Sequence, residues 1–77
     1  MSVQPLPKRQ LLVTFSNQQQ KLYDCQGLLA HDRFQLLHTD AFFNAATVDP
    51  GGYGISWNDD MDVSADELWQ RGSAYNT

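Results

Sequence analysis

The chain has 77 residues, a formal net charge of -4, and 42% hydrophobic against 18% charged residues. That length allows one domain with one core, and the composition matches neither a disordered chain nor a membrane protein. With five Lys and Arg against nine Asp and Glu, direct nucleic-acid binding is not expected, because phosphate recognition draws on clustered cations.

Residues 1–9 are expected to form an extended arm, since Pro5 and Pro7 bias their neighbours away from helix. The arm has no apolar stretch that would serve as a signal peptide, and no run in the chain reaches the ~18 apolar residues of a membrane span. A cytoplasmic location is expected, with no membrane partner. Residues 10–72 are expected to form a single α+β domain, and residues 73–77 a flexible tail.

Within the domain, Leu11, Val13 and Phe15 fall on one face of a first strand by the two-residue period. Ser16 to Gln19 supply a turn, and Lys21 to Cys25 return as the second arm of a hairpin. Gly27 is expected to break that run. The stretch from Leu28 to Leu37 predicts a short helical turn or two, and Phe42 to Asp49 predicts a third strand. Pro50-Gly51-Gly52 ends it with glycines able to supply positive φ. Gly54 to Trp57 predicts a fourth strand with Ile55 and Trp57 on one face, and Met61 to Val63 a brief extended segment.

Ser64-Ala65-Asp66-Glu67 reads as a capping box, in which Ser64 accepts from the Glu67 amide and Glu67 reaches back to the Ser64 amide. Val63 and Leu68 occupy the positions of a hydrophobic staple, and Gly72 stands where a left-handed C-cap would end the helix. The expected fold is a small, mostly antiparallel sheet of four to five short strands, an irregular or short-helical middle connection, and a C-terminal helix packed on the sheet.

Taken in order, these segments resemble the small bacterial domain-of-unknown-function family 2442. The likeness rests on Phe15-Ser16-Asn17, Tyr23-Asp24, Phe34 with Leu37, Phe43 ahead of Val48, Ile55-Ser56-Trp57-Asn58, and the helix entry from Asp62 to Trp69. Gln18 or Gln19 stands where the first hairpin of the family usually carries glycine, and Trp69 where a tyrosine is usual. The resemblance implies a compact β-rich domain with a C-terminal helix, found alone or fused to a helix-turn-helix domain. It also suggests genes beside a small partner in toxin–antitoxin-like pairs, and it implies no established activity. No appended DNA-binding domain is expected after Gly72, so regulation would run through another protein.

No residues assemble into a catalytic set. Asp59, Asp60 and Asp62 are the carboxylates a hard cation would want, but a calcium loop begun at Asp60 puts Ala65 where glycine is needed and Arg71 where a bidentate glutamate belongs. These aspartates read instead as turn formers and helix N-terminal charges. Cys25, His31 and His38 lack the spacing of a zinc site or a nucleophile and base. Gly51-Gly52-Tyr53-Gly54 opens into a strand where a phosphate-binding loop would open into a helix. No metal, cofactor or enzymatic activity is expected.

Trp57 is expected in the core beside Phe15 or Phe43, and Trp69 in helix-to-sheet packing. Tyr53 and Tyr75 are the aromatics expected at the surface. The sequence therefore points to a non-enzymatic protein-interaction module, with Tyr53, Asp59, Asp60, Asp62 and Tyr75 as its candidate surface. Its expected partner is another protein, small and basic, to which the acidic C-terminal half would be electrostatically matched. A small-molecule or peptide-binding regulatory domain is the alternative, and a homodimer joined by sheet edges a third class.

Overall fold

The computed structural model describes residues 1–75. The predicted hairpin is present, as β2 (Gln10–Thr14) and β3 (Gln20–Asp24) paired antiparallel with Leu11 opposite Tyr23 and Val13 opposite Lys21. Leu11 and Val13 are fully buried, so the alternation places one face of β2 on the core. In the turn the Phe15 amide donates to the Gln19 carbonyl at 2.9 Å, and Gln18 takes the left-handed conformation with φ 68°.

The N-terminal arm belongs to the sheet. β1 (Ser2–Leu6) runs antiparallel to β2 with Val3 opposite Val13. Pro5 is accommodated because β1 lies at the edge of the sheet, where a strand can lack an N–H donor. After β3 the chain breaks at Asp24, three residues earlier than Gly27 suggests: the Asp24 carboxylate accepts from the Gln26 amide at 2.9 Å and starts a 3-10 helix over Cys25–Ala30. A second 3-10 segment follows at Asp32–His38, burying Phe34 and Leu37. This matches the short-helical connection expected there.

The third strand expected over Phe42 to Asp49 is corrected. Its first part is α1 (Asp40–Phe43), and only β4 (Thr47–Val48) is strand. Phe43 is buried and its neighbour Phe42 also packs against the core. A strand would send these consecutive residues to opposite faces, whereas a helical turn lets both face inward.

The turn at Pro50–Gly52 uses positive φ at Gly51 (83°) and Gly52 (74°), as expected. β5 (Gly54–Asn58) and β6 (Met61–Ser64) form the second hairpin with Ile55 opposite Val63, and β4 pairs with the other side of β5. α2 (Ala65–Arg71) follows directly. Its cap is half of the predicted box: Ser64 Oγ accepts from the Glu67 amide at 3.2 Å, while the Glu67 carboxylate turns away to accept from Tyr23.

Gly72 is not a left-handed cap. Its φ is -71°, and glycine is needed there for space: a Cβ would stand 2.5 Å from the Leu68 carbonyl and 3.0 Å from the Lys21 side chain. That close approach lets β7 (Ser73–Ala74) pair with β3, with Ser73 opposite Leu22. The expected flexible tail is therefore sheet at its start, and the remainder of that expectation, residues 76 and 77, lies outside the described residues.

The strands form a four-stranded antiparallel sheet, order β1-β2-β3-β7, and a three-stranded sheet, order β4-β5-β6. Between them lies a core of Leu11, Val13 and Tyr23 from the first sheet, Ile55, Met61 and Val63 from the second, Leu68 from α2, and Cys25, Phe34, Leu37 and Phe43 from the connection. Val63 and Leu68 meet the burial expected of the staple. Each large buried apolar side chain contributes about 1.5–3 kcal/mol. The fold is α+β, as expected, and no helix among the described residues is long and apolar enough to cross a membrane.

Candidate interaction surface

The residues singled out in the sequence do not converge. Asp59 and Asp60 occupy the turn between β5 and β6, Asp62 projects from β6, and all three are exposed. Neither ion pair among the described residues, Arg9 with Asp40 or Arg71 with Glu67, involves them. Only the Asp60 backbone carbonyl is engaged by a cation, accepting from Arg33 at 2.6 Å. Tyr53 is 80% exposed but precedes β5, which puts it at the opposite end of that strand, about 15 Å away at ~3.3 Å per residue. Tyr75 directly follows β7 at the first sheet, and its amide donates to the Gln20 carbonyl at 3.0 Å.

That bond places Tyr75 on a surface the sequence reading did not find. Residues paired across an antiparallel ladder share a face. With Leu11 and Val13 turned to the core, the opposite face of the four-stranded sheet carries Gln4, Leu12, Leu22 and Ser73 in one cross-strand row and Leu6, Gln10 and Asp24 in the next. The third row is Ser2, Thr14 and Gln20, extended by Tyr75 through its bond to Gln20.

Leu6, Leu12 and Leu22 are half-buried, yet they are not among the apolar side chains that pack on the core. α2 lies against the inner face instead. The Tyr23 hydroxyl donates to Glu67 at 3.0 Å, the Lys21 ammonium donates to the Trp69 carbonyl, and both partners of α2 are inward-facing residues of β3. The outer face thus holds a leucine stripe bordered by amides and hydroxyls, with Asp24 its one charged side chain. The available signal was the run Leu11-Leu12-Val13 and the pair Leu22-Tyr23, which put apolar residues on both faces of strands that need only one for the core.

The tryptophans divide. Trp57 stacks on Phe43 with ring centroids 6.3 Å apart and donates its indole N–H to the Phe43 carbonyl at 3.0 Å. Trp69 remains 37% exposed, edge-on to Phe15 at 5.0 Å with the Lys21 ammonium 4.1 Å from its ring centroid.

An open groove of about 410 Å³ lies beside the end of β3, lined by Tyr23, Asp24, Leu28, His31, Glu67 and Arg71 among others. Three of its polar groups are mutually engaged: Tyr23 with Glu67 at 3.0 Å, and Arg71 with Glu67 at 3.7 Å. Burial, reinforced by the Glu67 carboxylate, pushes the Tyr23 phenol above its ordinary pKa of 10.0. Cys25 is fully buried, and desolvation pushes its thiol up to about 12, which keeps it protonated and unreactive at neutral pH. His31 and His38 are both exposed. Among the described residues no group of three His, Cys, Asp or Glu is placed to hold a metal ion.

Comparison with known proteins agrees with the resemblance seen in the sequence. The model of the family described as protein of unknown function, DUF2442, matches residues 1–74, and the chain belongs to that family. No curated protein and no solved structure matches the chain.

Proposed function

We propose that the chain is a non-enzymatic protein-interaction module, acting in the cytoplasm. One observation carries this reading: Leu6, Leu12 and Leu22 lie on the sheet face turned away from the core, and burial against another protein is the return such a stripe can give. The exposed carboxylates of Asp59, Asp60 and Asp62 add a second, acidic surface on the other sheet. They suit a small basic protein, whose encounter they would speed and whose competitors they would repel. In this reading the chain is the antitoxin-like or regulatory member of a two-gene pair.

The test is affinity capture of the tagged chain from its native lysate, beside variants carrying Asp59→Lys with Asp62→Lys and Leu12→Glu with Leu22→Glu. One small basic protein captured by the parent and lost in the aspartate variant is the expected result. If no protein is enriched over a tag-only control, the reading fails.

The groove beside Tyr23 favours a second reading, a small-molecule or peptide-binding regulatory domain. A metabolite that raises the melting temperature of the parent, and fails to do so for Arg71→Ala, would favour it over the first.

A further inference from the structure

We infer that the outer face of the four-stranded sheet binds a second copy of this chain, face to face across a two-fold axis near the Leu12–Leu22 pair. This rests on the reading of the chain as an interaction module and names the occupant of its apolar surface.

Charge is the first argument. The chain carries nine Asp and Glu against five Lys and Arg, so two copies repel each other over most of their surfaces. Within the three rows of the outer face the only ionised side chain is Asp24, at a corner and exposed. Two identical chains can therefore meet here with little like-charge cost, whereas a strongly basic partner finds no carboxylate array to answer its charge.

Chemical self-complementarity is the second. A two-fold interface sets a surface against itself, so each group must be able to pair with its own kind or its neighbour's. Leucine on leucine does so, and the bordering Gln4, Gln10, Gln20, Ser2 and Thr14 each donate and accept hydrogen bonds. The Gln20 amide already donates to Thr14 Oγ1 at 3.1 Å across the strands, which holds that part of the border in place. Tyr75, at the end of the same row, offers ring surface and a hydroxyl.

Area sets the strength. Three strands of five residues and the two-residue β7, spaced about 4.8 Å apart with about 3.3 Å rise per residue, bound the footprint at roughly 270 Å² per copy. Interfaces below about 1,200 Å² in total are weak and reversible. The dimer is accordingly weak and concentration-dependent.

Sedimentation equilibrium of the untagged chain, from about 10 µM to about 1 mM, tests this. The weight-average mass is expected to climb from one chain toward two, and Leu12→Glu with Leu22→Glu is expected to remain a single chain throughout while keeping the parent's circular dichroism. If that variant loses its fold, Gln10→Glu with Thr14→Glu, which spares both leucines, decides in its place. A parent that stays monomeric at the highest concentration overturns the inference, as does a folded variant that dimerises like the parent. Either result leaves the module reading to the capture experiment, where Asp59→Lys with Asp62→Lys reports on a different surface.

Discussion

Cys25 and Tyr23 show how single residues tie this small core to pH. Both have folded-state pKa values raised above their unfolded ones, chiefly by desolvation. Below the unfolded values both states hold the proton and stability is unaffected; above them the unfolded chain releases it first, and stability falls as pH rises. For Cys25 the window opens near its ordinary 9.0 and extends to about 12, with Tyr23 joining above 10.0. The slope contributed by one such group approaches 1.4 kcal/mol per pH unit. Thermal unfolding from pH 7 to 11 should therefore show a melting temperature that declines above pH 9. Cys25→Ala should begin from a lower value, because it leaves a small void, and should decline less between pH 9 and 10. Equal slopes in the two proteins over that interval would remove Cys25 as the cause. In the sequence Cys25 has no spacing that fits a zinc site or a nucleophile and base, and the structure buries it fully in the core.

At the scale of elements, patterns that use one period throughout were legible, while those set by packing were not. Leu11 and Val13 gave the first hairpin by alternation, and Ser64 to Leu68 gave the last helix by its cap and staple. α1 was missed because Phe42 and Phe43 have strong strand preference, and only the need to bury both on one side makes a helical turn the better solution. β7 was missed because Gly72 reads as a stop signal, although its role is to let β7 approach Lys21 and the end of α2. The turn between β2 and β3 was legible in place but not in conformation. Gln18 adopts φ 68° there, a left-handed geometry that costs a residue with a Cβ about 1–2 kcal/mol. Glycine removes that cost but loses about 0.5–1 kcal/mol to the freedom of the unfolded chain. Gln18→Gly is thus expected to stabilise the protein by roughly 0.5–1 kcal/mol, a gain of several degrees in melting temperature for a domain of this size. A melting temperature unchanged or lowered by Gln18→Gly would show that the Gln18 side chain contributes more than the strain costs.

Over the whole molecule, polar and apolar surface are segregated in a way no local pattern reveals. The outer face of the first sheet carries Asp24 as its one ionised side chain, and the β5–β6 hairpin on the other sheet carries Asp59, Asp60 and Asp62, none of which has an ion-pair partner among the described residues. The carboxylates were visible in the sequence as a cluster, but the leucine face depends on register and on which side α2 occupies, so it emerges only from the fold. The two surfaces obey different physics and should respond oppositely to salt. Raising the ionic strength from about 0.05 to 0.5 M shortens the Debye length from roughly 14 to 4 Å, which screens contacts between exposed charges. Capture of a basic partner through the acidic hairpin should weaken severalfold over that range, mainly through slower association. Self-association through the leucine face should hold or strengthen, since salt screens the residual repulsion between two chains of charge -4 and leaves apolar burial intact. Sedimentation equilibrium of the parent at both salt concentrations measures the second effect directly. A dimer that dissociates at high salt would mean that ion pairs hold it, and since this face offers only Asp24 on each copy, the interface would have to lie elsewhere on the chain.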